Sequence, residues 1–508
     1  MAIISSIISW ALKKRIHQIE LFQKYPLEVQ QEVFQKLIHT AKSTEWGQKY
    51  DYKSIKSYQD YRERVPTQTY EALFPMLDRV IKGEQNILWP SKIERFSKSS
   101  GTTNARSKFI PVSQESLEEC HFKAGKDMLS IYFNNYDAGD LFGGKMIPIG
   151  GTLATNPKNP DTIVGDVSAI ITNNMPFWVQ WTRAISLKTA LMDEWEEKIE
   201  NIIKESINED VTTLGGVPTW TLVLLKKMLE KTGKDSILDI WPNLEVFIHG
   251  AVSFDPYRAQ FKELIGSREI NYLETYNASE GFFGIQEHPG SSELLLMLDY
   301  GIFYEFIPAE EWSKEHPKTI TLEEVKLGKN YAMIISTNAG LWRYNIGDTI
   351  KFTSLNPFRI KITGRTKHFI NAFGEELVIE NAETGITEAA EKTNSIVTNF
   401  TAAPIYFEGK ESGGHEWVIE FERAPTDIEK FTYFLDKKMR ELNSDYDAKR
   451  YKDMALKTPK IHIAPVGTFY NWMQKRGKLG GQNKVPRLSN DREYLEDILE
   501  FINGLSYL

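Results

Sequence analysis

The chain has 508 residues, a length that suits two or three domains. Its content of 41% hydrophobic and 26% charged residues is typical of a globular protein and excludes a disordered or collagen-like chain. The formal net charge of -8 disfavours a dedicated nucleic-acid binder, so we expect no nucleic-acid partner.

The N-terminus and the cysteine content bear on where the protein resides. The first residues, MAIISSIISWALKKRI, place a short apolar stretch before a basic cluster. A signal peptide has the opposite order, so we expect an amphipathic first helix, with attachment to a membrane surface as the alternative. No apolar run approaches the ~20 residues that span a bilayer, and we expect no integral membrane contact. The single cysteine, Cys120, excludes an intrachain disulfide and fits a reducing compartment such as the cytoplasm.

Hydrophobic spacing predicts helices first and strands later. Val29, Val33, Leu37 and Ala41 recur every four positions and predict one face of a helix. Between about 140 and 360, short apolar runs bounded by Gly, Pro or Asn predict strands, with helical segments between them. The predicted strands are 145–151, 244–250, 270–277, 292–301 and 331–340. This mixture predicts an α/β architecture with large sheets.

After about residue 360 the pattern predicts a smaller α+β unit. Residues 358–371 are typical of strand, turn and strand, and 405–421 of a hairpin. The 3-4-3 spacing of four apolar residues predicts a helix between them: Ile379, Ala382, Ile386 and Ala389. Thr426 and Glu429 form a capping-box signature before a second helix.

The strongest local motif is FSKSSGTTNARSK at 96–108. Its small residues, Ser99, Ser100, Gly101, Thr102 and Thr103, supply hydroxyl and backbone N–H groups that can surround phosphate oxygens. Nearby Lys and Arg side chains can balance the phosphate charge. The spacing of a Walker A loop is absent, and a flexible surface loop remains the alternative.

Three further motifs carry side chains suited to a nucleotide. Glu280 in YNASEG follows a predicted strand and could bind Mg²⁺ together with phosphate oxygens. Asp348 in WRYNIGD follows another and could accept hydrogen bonds from ribose hydroxyls. Lys484 lies in the Gly-rich loop 480–487 and could neutralise developing charge. The alternatives are an ordinary turn at Glu280 and a solvated surface lysine at Lys484.

The order of these motifs resembles the carboxylate-adenylating superfamily of acyl-CoA synthetases, peptide-synthetase adenylation domains and luciferases. Within it, the chain most resembles the Gretchen Hagen family of acyl-acid amido synthetases, the plant auxin-conjugating group and its bacterial relatives. The resemblance extends from residue 44 to Arg487 and rests on SSGTT, YNASEG, RYNIGD, GRTKHFINAFGEEL and the terminal GTF and GGQNKVPR. The chain departs from the family pattern at Ala105, where members usually have glycine, and differs from plant relatives after Arg365, which indicates a bacterial-type member.

The resemblance implies a fold and a reaction. The fold is a large N-terminal domain of β-sheets and packed helices, residues 1–360, and a small mobile α+β domain, residues 361–508, with a hinge near 363–368. The implied reaction is adenylation of a small organic acid by ATP with Mg²⁺, with an aromatic or hydrophobic acid as a candidate, followed by amide formation with an amine, for which an amino acid is the expected acceptor. The family resemblance also favours a monomer.

The resemblance also implies roles for individual residues. The 99–103 loop would hold the triphosphate, Glu280 the Mg²⁺, and Asp348 the ribose. Arg365 and Lys367 resemble the hinge, and Lys484 would enter the site during adenylation. The remaining nucleotide contacts would be Gly250, Ala251, Val252, Tyr276 and Ser279. The acid pocket would include Val167, Met175, Phe177, Thr219 and Trp220, for which ordinary core is the alternative.

Two other functions remain open from the sequence. One is an acyl-CoA ligase, in which coenzyme A captures the same adenylate as a thioester. The other is a nucleotide-binding sensor without turnover. Histidines and cysteines with the spacing of a zinc site are absent, and no G-x-S-x-G motif supports a hydrolase.

Overall fold

The computed structural model describes most of the chain. The described residues are 14–99, 108–136, 143–251, 254, 257–312, 314, 316–366, 369–370, 375, 377–405, 413–443, 446–447, 450, 456–477, 485–489 and 492–505. Spatial contacts divide the chain into two compact units. Unit 1 comprises 1–252, 260–346 and 350–361, and unit 2 comprises 253–259, 347–349 and 362–508.

The largest sheet in the described part of the chain has ten strands. In spatial order they are β11 (Ile302–Pro308), β12 (Asn330–Thr337), β13 (Tyr344–Leu355), β14 (Phe358–Arg365), β10 (Leu294–Leu296), β9 (Gly281–Gln286), β8 (Asn271–Ala278), β7 (Val246–Gly250), β6 (Val211–Gly216) and β3 (Lys145–Ile149). Four neighbours, β3, β6, β7 and β8, run parallel. Their carboxyl ends therefore meet at one edge of the sheet.

Smaller sheets complete the strand inventory. Unit 1 has a four-stranded sheet in the order β2 (Lys108–Val112), β1 (Arg95–Ser99), β5 (Ile163–Gly165) and β4 (Leu153–Thr155). Unit 2 has a pair, β15 (Phe369–Ile370) with β16 (Leu377–Val378), and a three-stranded sheet of β17 (Ile396–Ile405), β18 (Gly414–Arg423) and β19 (Lys460–Ala464).

The helices of the described chain are divided between the two units. In unit 1 they are α1 (14–24), α2 (Pro26–Ala41), α3 (Glu45–Lys49), α4 (Tyr58–Arg64), α5 (Tyr70–Ile81), α6 (Gln114–Ser116), α7 (Lys123–Asn135), α8 (Val167–Asn174), α9 (Leu187–Ala190), α10 (Trp195–Ser206) and α11 (Pro218–Thr232). Helix α12 (Arg258–Ile265) begins in unit 2 and ends in unit 1. In unit 2 they are α13 (Ile379–Thr393), α14 (Ile428–Leu442), α15 (Thr468–Lys475) and α16 (Glu493–Leu505).

The three-stranded sheet of unit 2 is covered on both faces. Trp417 of β18 packs into one core with Leu435 of α14, while its neighbour Val418 packs into another with Trp472 of α15 and Ile498 of α16. Successive residues of a strand point to opposite faces, so this alternation places two helix layers around one sheet. The mixed α/β class with a smaller α+β unit is confirmed.

Some local predictions were wrong in detail. The buried stripe of α2 consists of Gln30, Phe34, Leu37, Ile38 and Ala41. Val29 and Val33 are half-buried, because a 3.6-residue period turns a strict four-residue repeat away from the core. The predicted strand 292–301 is only Leu294–Leu296. Helix α14 is capped by Asp427, whose carboxylate accepts from Lys430 N–H, so the capping box at Thr426 and Glu429 was wrong.

His121 makes unit 1 sensitive to acid. It lies in a π-helical segment, Leu117–Phe122, that leads into α7, and burial lowers its pKa to about 4. Because the unfolded chain binds a proton near pH 6.5 and the folded one does not, stability should fall as pH drops from 6.5 towards 4, by about 3 kcal/mol. Urea unfolding of wild type and His121→Gln at pH 7 and 4.5 measures this loss. The variant should lose most of the pH dependence, and His39→Gln, on the exposed face of α2, should retain it.

Candidate functional site

The edge where β3, β6, β7 and β8 end is the candidate site of unit 1. Open sheets with parallel strands bind ligands beyond the carboxyl ends of those strands. The segments that leave this edge are Gly150–Gly151, Val217–Pro218, Gly250–Ala251 and Ser279–Glu280. We refer to the first two segments as the β3–β6 end and to the last two as the β7–β8 end.

A tight turn presents Ser279 and Glu280 at the β7–β8 end. Strands β8 and β9 are antiparallel, with Ala278 opposite Gly281, so Ser279 and Glu280 form the two-residue connection. Ser279 is 4% exposed, and no described residue offers its Oγ a hydrogen-bond partner. Leaving a buried hydroxyl without a partner costs free energy. A ligand oxygen at this turn would satisfy it.

Tyr276 and the end of β7 flank that turn. Tyr276 is buried, and its ring meets Phe283 edge to face with centroids 4.9 Å apart, so packing fixes the ring. Ala251 has φ +72°, a left-handed conformation that is costly for a residue with a side chain. Such strained positions cluster where a fold holds a ligand or a catalytic group.

Gly250 permits the close approach of β7 to β8. A Cβ at this position would lie 2.4 Å from the carbonyl oxygen of Thr275. Gly250→Ala should therefore destabilise unit 1 by about 1–3 kcal/mol and disturb the β7–β8 end. The matched control is Gly215→Ala on β6, where a Cβ would meet only the methyl group of Met146 at 3.5 Å. Urea unfolding of both variants should separate them, and equal stability would refute the steric argument.

The residues present fit a magnesium ion shared with phosphates. No group of three or more His, Cys, Asp or Glu side chains suited to hold a metal occurs among the described residues. Mg²⁺ commonly takes one or two carboxylates and completes its shell with phosphate oxygens and water. Glu280, half-buried in its turn, matches that pattern.

The described residues of the predicted acid pocket lie on or next to α8 and α11. Val167 is buried at the first position of α8, and Met175 follows that helix, half-buried. Trp220 on α11 is half-buried and meets Trp195 of α10 with ring centroids 4.4 Å apart. The side chains of Phe177 and Thr219 lie outside the described part of the structure.

Sequence reasoning missed Lys198. Its side chain is fully buried on α10, and its Nζ donates to the carbonyl oxygens of Gly150 at 2.8 Å and Gly151 at 3.1 Å. The available signal was a lysine on the apolar face of α10, whose other members include Trp195, Ile199 and Ile202.

In unit 2, Asp348 and Arg365 form an ion pair. The Nε of Arg365 lies 2.7 Å from Oδ1 of Asp348. The pair is held locally because Thr366 N–H donates to the carbonyl oxygen of Gly347, which has φ +82°. Asp348 lies within β13 rather than in a loop after a strand, which corrects its predicted setting.

The remaining predicted residues are not placed by the structure. Ser99 ends β1, but its side chain is outside the described residues. Outside them altogether lie Ser100, Gly101, Thr102, Thr103, Val252, Lys367 and Lys484. The described part of unit 1 thus brings together Gly250, Ala251, Tyr276, Ser279 and Glu280 at the β7–β8 end.

Family comparisons cover most of the chain. Residues 15–270 match the GH3 family N-terminal domain, 295–365 the GH3 family central domain, and 380–493 the GH3 family C-terminal domain. None of the helices described here combines the length and apolar composition needed to cross a membrane.

Curated relatives are amido synthetases and related ligases. The indole-3-acetic acid-amido synthetase GH3.3 of Arabidopsis thaliana is 21% identical over 532 residues, covering 90% of this chain and 89% of the relative. The 4-substituted benzoates-glutamate ligase GH3.12 of Arabidopsis thaliana is 23% identical, covering 84% and 87%. The jasmonoyl-L-amino acid synthetase JAR4 of Nicotiana attenuata is 24% identical, covering 66% and 68%.

Solved structures share the fold. The GH3.15 acyl acid amido synthetase superposes with a TM-score of 0.79 at 17% identity, covering 96% of this chain and 95% of that one. A 2-hydroxyisobutyryl-CoA ligase in the postadenylation state gives 0.54 at 10% identity, covering 94% and 91%. The chain therefore has the fold of adenylate-forming enzymes.

Proposed function

The chain belongs to the GH3 family, and on that basis we propose that it is an ATP-dependent acyl-acid amido synthetase. A carboxylate of a small organic acid attacks the α-phosphorus of ATP, which forms an acyl-adenylate and releases pyrophosphate. The amine of an amino acid then attacks the acyl carbon, which forms an amide and releases AMP. The observation that carries this proposal is the ordered match to all three GH3 domains between residues 15 and 493.

The β7–β8 end and the hydroxyl-rich loop form the nucleotide site in this proposal. The buried Ser279 hydroxyl and the strained Ala251 support a ligand at the β7–β8 end. When bound, Mg²⁺ supplies charge neutralisation at the phosphates, and Glu280 holds it. Asp348 binds the ribose. The other nucleotide contacts are Ser99, Ser100, Gly101, Thr102, Thr103, Gly250, Val252 and Tyr276.

Three basic residues complete the proposed machinery. Lys484 offsets negative charge between the carboxylate and the α-phosphate during adenylation, where a preorganised cation acts most strongly. Arg365, paired with Asp348, orients that carboxylate at the hinge, and Lys367 lies in the same hinge.

The β3–β6 end binds the acid in this proposal. Trp220 and Met175, both half-buried, and Val167 supply the apolar and aromatic surface that such pockets use. Phe177 and Thr219 belong to the same proposed pocket. This lining favours a hydrophobic or aromatic acid.

We also propose a cytoplasmic, monomeric, bacterial-type enzyme. The single cysteine, Cys120, leaves no intrachain disulfide to form, which suits a reducing compartment. The sequence after Arg365 departs from the pattern of the plant family members. The acids used by the plant relatives are therefore candidate substrates for this chain, to be tested by a substrate screen.

A paired substrate screen tests the function. ATP–pyrophosphate exchange with a panel of indole, benzoate, jasmonate-like and short aliphatic acids identifies the acid, and AMP release with an amino-acid panel identifies the amine. We expect exchange with at least one acid and amide formation with at least one amino acid. Capture of the adenylate by coenzyme A alone would identify a thioester-forming ligase, and ATP binding without any exchange would identify a sensor.

A further inference from the structure

Lys198 places a buried charged group against the backbone turn at 150–151. Its ammonium group is fully buried and bonds two consecutive carbonyl oxygens, those of Gly150 and Gly151. Among the residues that the structure describes, none forms an ion pair with it. Burying an ammonium group without a paired carboxylate is costly, so an apolar residue would be the cheaper choice at a purely structural position.

The other side of the same turn is tied to α8. The N–H of Gly151 donates to Oγ of Ser168 at 3.1 Å, and the N–H of Thr152 donates to the Asp166 carboxylate at 2.9 Å. A Cβ on Gly151 would lie 1.7 Å from Oδ2 of Asp166. These contacts tie the turn to the start of α8, so a shift of the turn should also move Val167, the first residue of that helix.

Lys198 also lies beside the aromatic side of the proposed acid pocket. It follows Trp195 by three residues on α10, so the two side chains share a face, and its Nζ lies 5.4 Å from the Trp195 ring centroid. Trp195 in turn contacts Trp220. One ammonium group thus contacts the turn that holds α8 and the aromatic ring that meets α11.

We infer that Lys198 is a positioning residue that sets the affinity for the acid substrate by fixing the Gly150–Gly151 turn and, through it, the start of α8. This inference rests on the proposed function. The contacts of Lys198 within the described part of the chain are with Gly150, Gly151 and Trp195 and include none of the residues at the β7–β8 end. We therefore expect its effect to fall on the acid rather than on ATP.

Steady-state kinetics with the acid identified by the screen test this role. Lys198→Met should raise the KM for the acid by about tenfold or more, the order expected for losing charged hydrogen bonds, with little change in kcat or in the KM for ATP. Lys204→Met is the matched control, because Lys204 lies on the exposed face of the same helix. This variant should leave kcat, the KM for the acid and the KM for ATP unchanged.

The pH dependence gives a second readout. Burial lowers the pKa of Lys198 to about 8, against the raising effect of the Asp166 and Asp193 carboxylates. The wild-type KM for the acid should therefore rise above about pH 8, as the ammonium group loses its proton. Lys198→Met should lack this rise.

A milder variant keeps the test decisive if Lys198→Met does not fold. Ser168→Ala removes only the bond to Gly151 N–H and should raise the KM for the acid several-fold. Equal effects on acid and ATP, or a KM unchanged from the Lys204→Met control, would overturn the positioning role while leaving the proposed function intact. If the wild-type protein shows no ATP–pyrophosphate exchange with any acid, both the positioning role and the proposed function are overturned.

Discussion

Glu280→Gln should reduce ATP–pyrophosphate exchange by about 10²–10³-fold, the scale expected when one preorganised charge interaction is lost from a transition state. Glutamine preserves the size of the side chain and its place in the two-residue turn between β8 and β9, so the loss reflects charge rather than packing. The proposed role of Glu280 is to hold Mg²⁺ against the phosphates, and the neutral amide is a poor ligand for that cation.

The control for this prediction is Glu269→Gln. Glu269 precedes β8 and is largely exposed, with its carboxylate 3.1 Å from Lys262 Nζ. Exchange should be unchanged in that variant. Raising the Mg²⁺ concentration should recover part of the Glu280→Gln activity, and full activity of Glu280→Gln at ordinary Mg²⁺ would remove this residue from the metal site.

Glu305→Leu should lower the free energy of unfolding by about 3–5 kcal/mol, the cost of leaving a buried charge without its partner. Glu305 is fully buried on β11, and its carboxylate binds the Arg343 guanidinium at 2.8–3.1 Å. Arg343 also donates to the carbonyl oxygen of Arg62 and to Thr319 Oγ1. These contacts keep the guanidinium buried when its carboxylate is removed.

A double variant distinguishes charge from cavity effects. Glu305→Leu combined with Arg343→Met removes both charges and should recover part of the stability lost in Glu305→Leu, which a double-mutant cycle in urea measures directly. The exposed pair Arg79 and Glu45 is the control, and Glu45→Gln should cost less than about 1 kcal/mol. Additive losses at 305 and 343 would show that the pair is not coupled.

The sequence located the β7–β8 end because each of its features has a local signature. The strand-like run predicted at 270–277 matches β8, which ends at Ala278, and the serine and glutamate beyond it form the turn. Arg343 shows the limit of that approach. It lies inside the RYNIGD motif, yet the structure assigns it to a buried ion pair whose partner is 38 residues away, and one sequence does not reveal such a pairing.

The β3–β6 end could be predicted only in part for the same reason. Trp220 lies on α11, and its contact with Trp195 of α10 joins two helices that no local pattern relates. Lys198 interrupts an otherwise apolar face of α10. Without the carbonyl oxygens of Gly150 and Gly151 in view, such a lysine cannot be told from one whose aliphatic chain reaches out to solvent.

In the parallel arrangement of β3, β6, β7 and β8, the proposed acid-binding residues and the β7–β8 end of the proposed nucleotide site follow different strands of one sheet. Gly250, Ser279 and Glu280, which are among the residues proposed to bind the nucleotide and its Mg²⁺, lie where β7 and β8 end. Trp220, which is proposed to bind the acid, lies on the helix that follows β6. If the proposed assignments are correct, we expect substitutions beyond β6 to change which acid is accepted while the residues at the β7–β8 end continue to bind ATP. Attempts to redirect this enzyme towards new acids should randomise α8 and the first turn of α11 and keep the β8–β9 turn unchanged.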